Sequence, residues 1–421
     1  MVEPPAKEGV LDVLPAEPMM PVQPEERIEV VDILRGFAVF GILIVNMTFY
    51  ERPVKHIAEL DWPDRLVLWG IIVFAQGKFY TMFSFLFGLG LAIQMRRAAE
   101  RGAEFVPLAV RRLLVLLGLG MVHAFLLWMG DILMTYAILG FILLVFRTTT
   151  TRTLLIASGV LLLVPILLFA LIVGMVEFAS QFMSPEELAE IEKSGNWEYE
   201  WQRESARIYG EGTFGEIMVR RAIDVLFMYS GLPLFGPTVL ALFFLGLVAG
   251  RHRVFHDISG HLPLFRRLFW WGLGLGLVFN GGQVVIEELA DANAFSWPVA
   301  LQKAGFILGG PAFCFCYIAI IVFLTRRRFW QRILSPLGDV GRMALTNYLM
   351  QSVICTTIFY SYGFGYHGRI GPLEGLGLTV AIYAVQVVWS VAWFRLFRFR
   401  SGPLEWLWRR LTYGHAPPTR A

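Results

Sequence analysis

Apolar residues run in long blocks along most of this chain, separated by short polar segments. A helix crossing the hydrocarbon of a bilayer needs about 20 such residues. By that measure the pattern predicts an all-α polytopic membrane protein of about ten transmembrane helices. They cover residues 33–50, 68–95, 108–128, 131–147, 153–176, 223–249, 267–287, 298–325, 341–361 and 374–396. The second block is too long for one straight crossing. Gln76, Gly77 and Lys78 interrupt it, which leaves residues 66–76 free to form a separate interfacial or re-entrant piece.

The polar segments set the orientation. Counted over alternate connections and the two tails, one set holds 23 Lys and Arg and the other nine. Basic residues accumulate on the cytoplasmic side, so both termini are expected in the cytoplasm. Residues 1–31 read as a disordered cytoplasmic tail: the first 30 contain six Pro and seven acidic residues, the wrong charge for a signal peptide. Residues 32–177 form an N-terminal five-helix half. Residues 178–222 form an acidic extracytoplasmic loop, in which Ser184-Pro185-Glu186-Glu187 has the form of a helix start. Residues 223–412 form a C-terminal five-helix domain. It ends in an interfacial helix that carries Trp406, Trp408, Arg409 and Arg410. Gly246/Gly250, Gly272/Gly276 and Gly305/Gly309 have the spacing that lets membrane helices approach closely.

Composition agrees. The chain is 56% hydrophobic and only 16% charged, against about 45–50% and about 25% in soluble domains. An ordinary soluble protein and a disordered one are both excluded, and the bilayer is the first partner. A formal net charge of +3, spread over short loops, does not suggest nucleic acid. Cys314, Cys316 and Cys355 have the spacing of neither a zinc site nor a disulfide framework, and no metal site is expected.

Ionisable groups inside spans are costly and are therefore functional candidates. Depth sorts them, at about 1.5 Å of rise per residue. Asp32 and Arg35 lie at the entrance of the first span, with Asn46 well beyond them. His123 lies 11 residues beyond Arg112, Asp131 begins the next span across a turn at Gly130, and Lys78 begins its helix from the same side. Asn46, Lys78, His123 and Asp131 are thus expected at one level near the outer face. A carboxylate beside an imidazole suits a general base; helix capping by Asp131 and snorkelling by Lys78 are the plainer alternatives. At the opposite face Arg35, Arg111 and Arg112 either anchor helices or form a mouth for an anionic ligand. Asn347 and Gln351, four residues apart, either bond between helices or line a polar cavity. Gln283, Glu287 and Glu288 suggest a water-filled vestibule.

Several motifs carry a resemblance. R-I-E-V-V-D-I-L-R-G-F-A-V-F-G-I-L-I-V-N (27–46), G-K-F-Y-T-M-F-S-F-L-F-G-L-G-L (77–91), R-R-L-L-V-L-L-G-L-G-M-V-H (111–123) and G-D-I-L (130–133) resemble bacterial YeiB-like multi-pass membrane proteins. G-R-M-A-L-T-N-Y-L-M-Q-S (341–352) and G-P-L-E-W-L-W-R (402–409) resemble their C-terminal domain of unknown function 418. The resemblance implies a location in the bacterial plasma (inner) membrane. More distantly, D-x-x-R-G-x-A at 32–38 is similar to the acyltransferase-3 and heparan-α-glucosaminide N-acetyltransferase families. The second pattern pairs an Asn at the end of the first span with a following His, here Asn46 and His56.

Those similarities imply an acyltransferase that moves an acyl group from a cytosolic donor, acetyl-CoA or another acyl-CoA, to a sugar or other small acceptor. No permanently bound cofactor is implied. His123 or His56 would be the base, Asp131 and Asn46 the orienting groups, and Arg35, Arg111 and Arg112 the donor-binding groups. A transporter or flippase of a small amphiphile is the alternative; Asn347, Gln351 and the Gly-rich seventh span would then line its path.

Overall fold

The apolar blocks become helices, and their interruptions become the joints. The computed structural model describes residues 27–51, 60–184, 186–187, 197–289, 296–414 and 419, and among them the chain is helical with no β-strand. The N-terminal part comprises α1 (Glu29–Met47), α2 (Trp62–Phe74), α3 (Lys78–Glu100), α4 (Phe105–Val122), α5 (Leu133–Val145) and α6 (Thr151–Ser180). Two helices follow, α7 (Trp197–Glu211) and α8 (Phe214–Ser230). The remainder comprises α9 (Leu232–Arg251), α10 (Leu262–Leu289), α11 (Trp297–Thr325), α12 (Arg328–Arg342), α13 (Ala344–Phe359), α14 (Pro372–Val391) and α15 (Pro403–Tyr413).

Eight segments among the described residues are long and apolar enough to cross a membrane: α1, α2 with α3, α4 with the turn after it, α6, α9, α10, α11, and α14 with the turn after it. The expected fourth and ninth spans are shorter. Helix α5 has 13 residues and α13 has 16.

Two expected spans divide. The block at 223–249 breaks at Gly231, because Pro233 opens α9 without an amide hydrogen to continue α8. Helix α8 starts inside the expected acidic loop, where Thr213 and Glu216 form a reciprocal capping box. The block at 341–361 breaks at Met343, whose backbone leaves the helical region (φ −124°, ψ 40°) and separates α12 from α13.

The expected interruption of the second block is real. Gly77 has a left-handed backbone (φ 85°) between α2 and α3. Lys78 is fully buried and does not snorkel. Its Nζ donates to the Ile72 and Gln76 carbonyls at the end of α2, at 2.7 and 2.6 Å, and to Asn280 Oδ1 on α10 at 2.5 Å. The cation thus satisfies carbonyls that the broken helix leaves without partners.

Small residues set the closest helix crossings. A Cβ on Gly36 of α1 would strike the Leu337 carbonyl of α12, and one on Gly341 would strike that of Asp32. Gly88 of α3 and Gly246 of α9 bear the same relation to Phe243 and Phe85. Phe85, Phe243, Met82 and Ala319 lie in the core beside these crossings. Helix α6 lies at the periphery and turns Leu155, Val160, Leu163, Leu167 and Leu171 outward, as a helix facing lipid can.

The expected vestibule carries less free charge than its sequence suggests. The Glu288 carboxylate is paired with Arg65 and accepts from Trp69 Nε1 at 2.9 Å, while Glu287 accepts from Gln302.

Candidate functional site: an arginine-mouthed chamber beneath a buried Ser-His-Asp chain

Helices α1, α3, α4, α5 and α13 surround a chamber of about 340 Å³. Its upper wall is apolar, with Val39 and Ile42 from α1, Phe83 and Leu86 from α3, and Leu113 and Leu116 from α4. Its mouth lies at the end where α1 begins and is lined by Arg27, Arg35, Arg97, Arg112, Arg342 and Arg409. Among the described residues, two carboxylates, Asp32 and Glu405, share that lining.

Helix α15 forms part of the mouth because three contacts hold it there. Glu405 accepts from Thr346 N–H at 3.0 Å and Thr346 Oγ1 at 2.6 Å, capping the first turn of α13. Arg112 lies 4.1 Å over the Trp408 ring, and Arg111 Nε donates to the Leu411 carbonyl at 2.7 Å. Arg112 therefore lines the chamber, and Arg111 secures the helix that closes it. The expected interfacial helix is thus part of the candidate site.

The mouth concentrates positive charge. Asp32 pairs with Arg35 at 2.8 Å and with Arg27 at 3.9 Å. Burial, and then the guanidiniums of Arg342, Arg409 and Arg35, bring Arg27 down to about 10 against the opposing Asp32 carboxylate. Burial likewise lowers Arg409 and raises the Glu405 carboxyl. Guanidiniums crowded in partial burial with few carboxylates suit an anion, most of all a phosphate that two arginines can grip.

At the inner end the chamber meets Ile132, Leu133, Tyr136 and Tyr348. Behind that wall lies the expected pair: His123 Nδ1 is 2.8 Å from Asp131 Oδ1. The helix after α4 widens into a π turn at His123–Leu127, a distortion that recurs at functional positions. Asp131 also caps α5, its Oδ2 accepting Met134 N–H at 2.7 Å. It both caps a helix and orients the imidazole.

A carboxylate oxygen can only accept, so in the neutral ring Nδ1 carries the proton and Nε2 offers its lone pair. That lone pair faces Ser352 Oγ on α13, at 2.7 Å. His123, Asp131 and Ser352 are 0%, 6% and 3% exposed. Serine, histidine and carboxylate thus stand in the order that activates a hydroxyl for acyl transfer, an order recognised by geometry and not by sequence position. The sequence reading missed Ser352. Its signal was a polar residue one turn after Tyr348, on the same helix face.

Tyr348 separates the two features. Its ring lines the chamber and lies 4.9 Å from the His123 ring between centroids, and its hydroxyl donates to the Gly130 carbonyl at 3.1 Å.

Comparison with known proteins places the chain. Residues 249–415 match a family described as protein of unknown function (DUF418). The chain is 36% identical to the uncharacterized protein YxaH of Bacillus subtilis (strain 168), over 94% of this chain and 96% of that protein. It belongs to the YeiB-like DUF418 family. It is also 28% identical to the uncharacterized protein YeiB of Escherichia coli (strain K12), over 93% of this chain and 98% of YeiB. The DUF418 segment carries Tyr348, Ser352, Glu405 and Arg409, whereas His123 and Asp131 precede it.

Among the other expected site residues of this DUF418 protein, Lys78, Asn347 and Gln351 join helices and do not line the chamber. Lys78 belongs to the α2–α3 joint and bonds with Asn280 on α10. Asn46 is half-buried near the end of α1. His56 lies outside the described residues. Asn347 donates to the Val340 carbonyl and Ser390 Oγ, at 3.3 and 3.1 Å. Gln351 donates to Gln386 Oε1 at 2.9 Å and to the Val39 carbonyl at 3.4 Å. These two amides join α13 to α1 and α14, and neither lines the chamber. Of the glycines of α10, Gly272 and Gly276 pack against α11, meeting Ala312 and Phe313, whereas a Cβ on Gly274, Gly281 or Gly282 would meet nothing within 4 Å.

Proposed function

We propose that this protein is a membrane acyltransferase. It takes an acyl group from a cytosolic acyl-CoA and passes it to a hydroxyl or amine of a sugar or another small acceptor. The protein has ten spans, with α5 and α13 as short crossings, and both termini on the cytoplasmic face of a bacterial inner membrane. The arginine-rich mouth then opens to the cytoplasm, where the donor is.

One observation carries the reading: a chamber with clustered guanidiniums at one end and the His123–Asp131 pair behind its other end. Arg112 and His123 are 11 residues apart along α4 and its π turn, or about 16 Å of helical rise. That separation suits a donor whose phosphates are distant from its reactive carbonyl, as in a CoA thioester. An extended pantetheine arm covers a similar length, and Arg35 and Arg112 would hold the phosphates.

The test uses the full-length protein in detergent, with acetyl-CoA as donor and a hexosamine as acceptor. Acetyl-CoA should bind, and free thiol should appear faster when the acceptor is present. Arg112→Gln should weaken binding about ten-fold, and the wild-type affinity should fall with salt. Binding without thiol release, together with uptake into proteoliposomes, would point to transport of an anionic amphiphile instead.

A further inference from the structure

We propose that Ser352 is the acyl-accepting nucleophile, so that transfer passes through an acyl-serine held within the helix bundle. The inference rests on the acyl-transfer reading above and specifies how it proceeds. Both ring nitrogens of His123 are engaged, Nδ1 by Asp131 and Nε2 by Ser352. The proton within reach of Nε2 is the one on Ser352 Oγ. A base arranged in this way activates the serine before it can act on any acceptor.

Position agrees with that role. Ser352 follows Tyr348 by one helical turn on α13, so the two side chains lie on one face. Tyr348 is part of the chamber wall, and its hydroxyl is held by the Gly130 carbonyl and the Ile132 backbone. For an acyl group to reach Ser352 Oγ from the chamber, this ring has to turn aside. Asn347 and Gln351, on the adjoining face of the same helix, are bonded to α1 and α14 and hold α13 in register.

The step balances in two halves. Ser352 Oγ attacks the thioester carbonyl as its proton passes to His123 Nε2. The carbon–sulfur bond breaks, and the imidazolium returns that proton to the departing thiolate. In the second half an acceptor hydroxyl or amine gives its proton to Nε2 and attacks the acyl carbon. The ester bond to Oγ breaks, and the proton returns to Ser352. Asp131 is a positioning residue that fixes the ring and balances its charge in both halves.

The experiment traps the intermediate. The full-length protein in detergent is incubated with radiolabelled acetyl-CoA and no acceptor, quenched in acid, and digested for mass spectrometry. A parallel sample receives an alkyl fluorophosphonate, which reacts with activated serines whatever the natural donor is. Both adducts are expected on the peptide containing Ser352, and the acetyl adduct should resist neutral hydroxylamine. Each should fall by at least about ten-fold in Ser352→Ala and in His123→Ala. Ser352→Cys, close to isosteric, keeps the test independent of folding and should convert the adduct to a hydroxylamine-sensitive thioester.

Acetyl-CoA binding with neither reagent on Ser352 overturns the nucleophile and leaves the transfer reading standing. An adduct on His123 or on one of the three cysteines also overturns it. Loss of binding and of turnover together would overturn the transfer reading, and the nucleophile with it.

Discussion

Ser352 Oγ and His123 Nε2 stand 2.7 Å apart, although 229 residues separate them in the chain. The contact joins the π turn after α4 to the middle of α13 and makes His123 the central member of a buried proton chain. It also changes what substitution at His123 should do. His123→Gln keeps polar atoms to offer Asp131 and Ser352 but cannot take a proton near neutral pH. Acyl transfer should fall by about 10²-fold or more while the melting temperature stays close to wild type. His123→Ala should lose activity and stability together. Asp131→Asn should cost less activity than His123→Gln and shift the pH–rate profile, because the imidazolium loses its counter-charge. Full activity in His123→Gln would remove the residue from the mechanism.

How much of this was legible in the sequence depended on the distance over which each contact forms. The His123–Asp131 pair could be read because a hairpin at Gly130 brings residues eight apart together. Ser352 could not, because no local pattern announces a partner so far away. The breaks at Gly231 and Met343 were missed for a different reason: hydropathy stays high across them, and only backbone chemistry, such as Pro233, marks the joint. Depth along helices placed Lys78 and His123 at one level, yet depth says nothing about which side of a bundle a residue faces. The chamber mouth depends on α15 docking 59 residues away, through Glu405 and Thr346, which amphipathicity alone reads as a helix lying on a membrane surface.

Topology gives a prediction that needs no substrate. Reporter fusions after residues 100, 260 and 330 should read as cytoplasmic, and one after residue 200 as external, following the distribution of Lys and Arg. A cytoplasmic reading at residue 200 would turn the arginine mouth away from any cytosolic donor.

Lys78 should act on stability and not on donor binding. Lys78→Met retains chain length but takes the ammonium donor from the Ile72 and Gln76 carbonyls and Asn280 Oδ1. Asn280 Oδ1 keeps the Gln283 Nε2 donor, so two backbone carbonyls are left unpaired, at a cost of about 2 kcal/mol or more. The melting temperature in detergent should drop clearly. Acetyl-CoA affinity per folded molecule should change by less than about three-fold, since none of these groups lines the chamber. A large loss of affinity at unchanged stability would return Lys78 to the binding site.

His367 supplies the pH dependence. It lies in the turn between α13 and α14, packed edge-on against Tyr209 and Tyr360, and burial lowers its imidazole from an ordinary 6.5 to about 4. The folded protein therefore holds the neutral ring, while the unfolded chain takes up a proton once the pH falls below about 6.5. The native state binds fewer protons in that window, so stability should fall as the pH drops from 6.5 toward 4 and this contribution should level off below. His367→Gln, which cannot charge, should flatten the dependence of melting temperature on pH between 6.5 and 5, above the range where most carboxylates titrate. Its stability at neutral pH should change far less than its slope. Parallel curves for the two proteins would show that another group sets the acid sensitivity; Glu51 cannot be that group, although burial raises its carboxyl to about 7. It works in the opposite sense. The unfolded chain releases its proton above about 4.5 while the folded protein keeps it until about 7. Glu51 thus penalises folding as the pH rises, and Glu51→Gln should recover stability at alkaline pH where His367→Gln should not.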